Sequence, residues 1–198
     1  MAHIDYYFAT LSPYTYLCGT RPSEIAAAHG ATLTYKPLDI MALFGRTGGT
    51  PPGERHPNRQ AYRLQDMRRR AAILDLPINV KPAHWPTNGA PASYAIIAAQ
   101  AEGGDVAKLV SAISTACWSG EKNIADDAVI RDCLKETGFD PDLADKGMLS
   151  SAETFASNLE DAVNAGVFGA PFFVVDSGEV FWGEDRLADL DAHLSGKI

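Results

Sequence analysis

Hydrophobic and polar positions alternate at the start of the chain. Ile4, Tyr6 and Phe8 fall on one face and Tyr7 adds strand propensity, so His3 to Ala9 reads as a strand. Thr10-Leu11-Ser12-Pro13 then has the makings of a helix start. Ser12 stands at the cap and Pro13 at the first helical position, where its missing N–H would be unpaired anyway. The helix runs towards Gly30, and Pro22 inside it removes the bond to the Cys18 carbonyl, which predicts a kink or a break there. Alternation returns over Thr32 to Leu38, a second strand. Strand, helix and strand form an opening βαβ unit with a right-handed crossover.

The pattern changes in the middle. Gly45 to Asn58 is a loop rich in Gly and Pro, followed by a helix over Arg59–Asp75 and an irregular stretch over Leu76–Asn88. Helical spacing follows at Ala92–Glu102, Val106–Trp118, Asp126–Thr137 and Ser151–Ala165, with glycines between the segments. The end returns to β structure: an apolar strand over Phe172–Asp176, a turn at Ser177-Gly178 and a strand over Glu179–Trp182 form a hairpin. Leu187, Leu190 and Leu194 lie at helical spacing in a last helix over Asp185–Leu194. Removing the helical block leaves the element order of a thioredoxin fold. The expected architecture is α/β, with a large all-helical insertion between the second strand and the strand that follows Pro171. Residues 1–40 and 166–198 then form a discontinuous thioredoxin-like domain and residues 41–165 the inserted helical domain.

With 198 residues, 46% of them hydrophobic, the chain makes one domain, or one domain with an insertion, and needs no disulfide or metal to hold it. A net charge of -8 argues against a nucleic-acid binder. No apolar run is long enough for a membrane span, and the N-terminus lacks the basic start and apolar stretch of a signal peptide. Three cysteines without a CxxC suit a reducing, cytoplasmic setting. The charge is unevenly divided: residues up to Lys81 carry +4 and those from Pro82 onward -12. Arg55, Arg59, Arg63, Arg68, Arg69 and Arg70 lie in one stretch. They form either a solvated helix face or a positive field that draws in a small anion.

Three places carry candidate chemistry. Where a disulfide oxidoreductase of this fold has CxxC, the chain has Ser12-Pro13-Tyr14-Thr15. Both sulfurs are replaced by hydroxyls, so a thiolate used here must come from a bound ligand, for which glutathione is the candidate. Ser12 is either the group that donates to that sulfur or simply a helix cap. Second, Pro171 enters a strand directly after Ala170. A cis bond there would expose the Ala170 backbone to an extended peptide ligand, whereas an ordinary trans proline would not. Third, Asp185 in Phe181-Trp182-Gly183-Glu184-Asp185-Arg186 either caps the last helix or receives the charged amino-acid end of glutathione.

The opening DYYFATLSPYTYL, the segment GVFGAPFFVV and the ending FWGEDRLADL resemble the 2-hydroxychromene-2-carboxylate isomerase family, which groups with kappa-class glutathione transferases and DsbA-like oxidoreductases. The resemblance is strong at the two ends and weak between Gly45 and Gly120. It implies that Ser12 activates the glutathione sulfur and that Ala170, before a cis Pro171, pairs its backbone with the cysteinyl unit. It also implies that Trp182, Gly183, Glu184 and Asp185 surround the γ-glutamyl end. On the substrate side it implies His84, with Asn88 nearby. The family often has Asn in the Gly-Pro loop, where this chain reads Thr47-Gly48-Gly49-Thr50-Pro51-Pro52. The implied reaction opens 2-hydroxychromene-2-carboxylate, or a similar aromatic acid, to trans-o-hydroxybenzylidenepyruvate, a step in naphthalene-type degradation. A homodimer is implied as well. A kappa-like transferase conjugating electrophiles would use the same pocket, and a non-catalytic binding module would keep the groove without needing Ser12.

Other signals fit packing better. The five histidines show no metal-ligand spacing, and Ser12 has no GxSxG frame. Cys18 falls two turns along the first helix as a small buried hydrophobe, and Cys117-Trp118 ends an apolar helix.

Overall fold

The computed structural model describes all 198 residues. Its single sheet has the order β2-β1-β3-β4, built from β1 (His3–Phe8), β2 (Thr32–Pro37), β3 (Phe172–Val175) and β4 (Val180–Trp182). β1 runs parallel to β2 and antiparallel to β3, and β4 is antiparallel to β3. Phe8 sits beside Pro37, Tyr7 beside Phe172, and Phe172 beside Trp182. The chain therefore leaves β1, β2 and β4, and enters β3, at one and the same end of the sheet. Everything that follows depends on that end.

Between β1 and β2 run α1 (Pro13–Cys18) and α2 (Arg21–Ala28). The interruption falls at Gly19 and Thr20 rather than at Pro22. Gly19 takes φ 56°, open to a residue without Cβ, and Pro22 then sits in the first turn of α2, where no bond is lost. The insertion contributes α3 (Ile40–Thr47), α4 (Pro57–Ile73), α5 (Ala90–Glu102), α6 (Val106–Trp118), α7 (Asp127–Glu136) and α8 (Met148–Asn164). A 3₁₀ turn over Glu184–Arg186 leads from β4 into α9 (Leu187–Leu194).

The sequence pattern did not announce α3. Asp39 caps it, accepting from the amides of Met41 (2.9 Å) and Ala42 (3.1 Å). Leu43 is fully buried in a cluster with Tyr7, Leu38, Ala162, Val167 and Phe172. Burying a leucine is worth about 1.5–3 kcal/mol, enough to offset the roughly 1 kcal/mol cost of Gly45 inside the helix. α8 likewise starts at Met148, ahead of Ser151, after Gly147 in the left-handed region.

The sheet and the inserted helices share one hydrophobic cluster of 32 buried residues. Ile4, Tyr6, Phe8 and Phe173 from the sheet meet Ile96, Leu109, Ile113 and Trp118 from α5 and α6, and Tyr6 stacks on Phe173 with centroids 4.7 Å apart. Side-chain amides finish the edge of the sheet. Gln100 of α5 accepts from the Tyr35 amide (2.8 Å) and donates to its carbonyl (3.1 Å), while Asn158 of α8 donates to the Pro37 carbonyl (3.0 Å). Helix side chains thus take up the outward backbone groups of β2 at Tyr35 and Pro37, the part of the edge nearest the shared sheet end. No helix is long and apolar enough to cross a membrane.

Candidate active site

Ser12 follows β1 at the shared sheet end. Its N–H donates to the Ala9 carbonyl (2.9 Å) in a tight turn, and its own backbone is extended, as a cap requires. The Ser12 Oγ accepts from the Thr15 amide at a long 3.4 Å, and its hydroxyl proton has no acceptor within the protein. The side chain is half-exposed. Thr15, by contrast, is buried with its hydroxyl unpartnered. Of the two hydroxyls that stand where a CxxC would have sulfurs, only that of Ser12 is available to a ligand.

Across the sheet end, the Ala170–Pro171 peptide is cis. The Pro171 carbonyl accepts from the Gly183 amide (3.0 Å), whereas neither the N–H nor the C=O of Ala170 bonds to any group of the chain. A free donor and a free acceptor on one residue at the entry to a strand are what a peptide ligand pairs with when it adds as a strand. Trp182 packs edge-on against Phe168, with centroids 4.8 Å apart, and remains 54% exposed. The tryptophan lies so close to Gly169 that a Cβ there would meet its Nε1 at 2.5 Å. Gly183 has φ 116° and lets Asp185 fold back over it, the carboxylate reaching to 2.5 Å of where a Cβ would be.

The two acidic residues that follow Gly183 have different environments. Glu184 is buried, its side chain only 1% exposed. Its carboxylate takes two parallel bonds from Arg70 (both 2.9 Å) and one from Arg21 (2.5 Å). Arg21 also donates to the last carbonyls of α1, those of Leu17 and Cys18. Glu184 therefore ties α1, α2 and α4 to the turn after β4, and its charge is spent inside the protein. Asp185 is exposed, and its carboxylate pairs only with Arg186 (2.9 Å). Among Trp182, Gly183, Glu184 and Asp185, the open groups at this rim are the indole and the Asp185 carboxylate, since the Gly183 N–H and C=O are taken by Pro171 and Arg186.

A third wall comes from the segment between α4 and α5. Trp85 donates its indole N–H to the Leu11 carbonyl (3.0 Å), and Thr10 donates to the Gly89 carbonyl (3.2 Å). A Cβ on Gly89 would lie 2.6 Å from the Thr10 hydroxyl, so the two backbones approach closely. The segment docks one residue before Ser12. Within it His84 is exposed and makes no hydrogen bond, near Glu121, whose carboxylate it helps to hold low behind bonds from Ala83 and Asn79. Asn88 accepts from the Ala90 amide (3.1 Å) and starts α5. Neither His84 nor Asn88 touches the Ser12 loop. The residues that do are Gly89 and Trp85, the latter signalled in the sequence as an aromatic enclosed by Pro82 and Pro86.

α4 closes this wall. Tyr14 donates to Asp66 (3.0 Å), and burial first, then the Asp66 carboxylate, push the phenol pKa up. The Arg63 guanidinium lies over the Trp85 ring at 5.4 Å. The three cysteines are free and buried. Burial pushes the Cys18 and Cys117 thiols up to about 12 and that of Cys133 to about 11, so none is a nucleophile at neutral pH.

The family model described as DSBA-like thioredoxin domain matches residues 3–195. A relative from Sphingobium xenophagum named 2-hydroxychromene-2-carboxylate isomerase is 30% identical over 196 residues, covering 96% of this chain and 97% of its own. Glutathione S-transferase kappa 1 of Caenorhabditis elegans is 26% identical over 210 residues, covering 96% and 91%. A solved structure of 2-hydroxychromene-2-carboxylate isomerase matches the fold with a TM-score of 0.82 at 23% identity, covering 98% of this chain and 95% of that one. The cytosolic disulfide reductase DsbM from Pseudomonas aeruginosa, solved with GSH, matches with a TM-score of 0.74 at 17% identity and 98% coverage of each chain.

Proposed function

Because the chain belongs to the DSBA-like thioredoxin-domain family and to its 2-hydroxychromene-2-carboxylate isomerase branch, we propose that it is a glutathione-dependent isomerase acting on 2-hydroxychromene-2-carboxylate or a similar aromatic acid. The product is trans-o-hydroxybenzylidenepyruvate. The observation that carries this reading is the pairing of a serine hydroxyl with an unengaged Ala170 backbone, in a fold whose cysteine motif has no cysteine.

These residues fit glutathione. Held here, it would supply a thiolate nucleophile that is regenerated rather than consumed. The Ser12 hydroxyl donates to the sulfur. Lowering a thiol pKa by one unit takes about 1.4 kcal/mol, within the range of one charge-assisted hydrogen bond. Ala170 would hold the cysteinyl unit through its unpaired N–H and C=O. The Asp185 carboxylate, beside the Trp182 indole, meets the ammonium of the γ-glutamyl end. Glu184 serves this site indirectly, by holding the turn that carries Asp185.

The ultraviolet spectrum of 2-hydroxychromene-2-carboxylate, followed with and without glutathione, tests the reading. Acceleration that requires glutathione and falls about 100-fold or more in kcat for Ser12→Ala is expected. No acceleration under either condition overturns it. The relationship to a kappa-class transferase favours a second reading, conjugation of electrophiles. Mass spectrometry of the product separates the two, because only a transferase leaves glutathione attached.

A further inference from the structure

Six lysine and arginine side chains are half-buried: Arg21, Lys36, Arg55, Arg63, Arg70 and Arg131. Arg21, Lys36, Arg70 and Arg131 are ion-paired with carboxylates. Arg55 and Arg63 pair with none, and both lie beside the Ser12 site. A guanidinium taken partly out of water without a counter-ion is destabilising, which makes such a position a candidate for binding an anionic ligand.

The surroundings hold this pair ready for an anion. Arg63 lies over Trp85, which is itself pinned to the Leu11 carbonyl next to Ser12. Arg55 lies over the Phe44 ring at 5.9 Å and spends only its Nε–H, on the Thr50 carbonyl (2.8 Å), leaving its terminal nitrogens free. The carboxylate one turn along α4, Asp66, accepts from the Tyr14 hydroxyl (3.0 Å) and faces Arg69 at 3.7 Å. The one acid within reach on that helix is thus kept for other partners. Burial depresses the Arg63 guanidinium pKa, with the Tyr14 phenol acting in the opposite direction and Arg55 adding to the depression.

We propose that Arg63, supported by Arg55, anchors the carboxylate of the aromatic acid substrate beside Ser12, with the Trp85 and Phe44 rings forming an aromatic wall for its flat body. This rests on the isomerase reading. The chemistry is that of any small carboxylate, and glutathione carries carboxylates of its own. The aromatic backing of both guanidiniums assigns the pair to the aryl acid.

The test titrates trans-cinnamate and its methyl ester into the whole protein by calorimetry, with glutathione in a separate arm. The wild type should prefer the acid to the ester. Arg63→Gln should weaken the acid about 10- to 100-fold and leave the ester unchanged, with Arg55→Gln weaker in the same direction. Arg63→Lys should recover part of the loss, because a point charge replaces a planar fork. Arg68→Gln, an exposed and unpaired arginine of the same helix, should change nothing. Absence of an acid-over-ester preference overturns the proposal, as do equal losses for acid and ester or an effect confined to glutathione. An acid preference that depends on Arg63 without isomerisation of the chromene acid would keep the anchor and sink the isomerase reading. Turnover with an unchanged KM in Arg63→Gln would do the reverse.

Discussion

Arg63 and Arg70 stand two turns apart on one helix and lead opposite lives. Arg70 reaches a buried carboxylate, makes two parallel hydrogen bonds to it and joins Arg21 there. Arg63 covers an indole and has no carboxylate partner. The same side-chain chemistry is architecture at Arg70 and an unpaired, half-buried charge at Arg63. What separates them is which acid the fold delivers. The turn after β4 brings Glu184 to Arg70, while Tyr14 and Arg69 occupy Asp66 next to Arg63.

The largest expected effect comes from erasing that difference. Glu184→Ala leaves Arg21 and Arg70 unpaired where Glu184 was buried, and should cost about 3–5 kcal/mol of stability in urea denaturation. A loss well below 1 kcal/mol would mean that the ion-pair hub is not what fastens α4 to the sheet end.

A second expectation concerns the buried thiols on the packed side of the molecule. Burial raises all three above their ordinary value of 9.0, Cys18 and Cys117 to about 12 and Cys133 to about 11. Well below pH 9 the thiols are protonated in folded and unfolded chains alike. As the pH rises from there through 11 to 12, the unfolded chain releases these protons first, so the stability they contribute is lost across that window. Denaturation midpoints should fall over it, and a thiol reagent at pH 8 should label no cysteine until denaturant is added. Rapid labelling of Cys18 in the folded protein would contradict its burial at the end of α1.

The smallest effect is the most discriminating. Tyr14→Phe removes one hydrogen bond and should cost about 1 kcal/mol. It also frees Asp66 to turn towards Arg63, so the affinity for an aryl carboxylate should drop by about fivefold or less. Unchanged acid binding would show that Tyr14 does not keep the two arginine environments apart.

Residues close in sequence were legible, and residues brought together from afar were not. The Ser12-Pro13 cap, the βαβ opening and the final hairpin rest on local rules of spacing and backbone freedom, and they stand in the fold. Glu184 shows in the sequence only an acid near a helix start, because its partners Arg21 and Arg70 lie 163 and 114 residues away. The resemblance directs attention to His84 and Asn88, yet Trp85 between them makes the contact with Leu11. α3 escaped notice because Gly45 weakens its local pattern and Leu43 repays that only through tertiary burial.

By itself the sequence determined the order of the elements, the serine at the head of α1 and the absence of a cysteine there, which excludes thiol–disulfide exchange at that motif. It also determined how many arginines would gather between residues 55 and 70. Which of them would be neutralised was decided by the tertiary structure alone. The reason is physical: helical periodicity and capping act over a few residues, whereas the pairing of a half-buried guanidinium, always charged, depends on the acid that folding carries to it from another part of the chain.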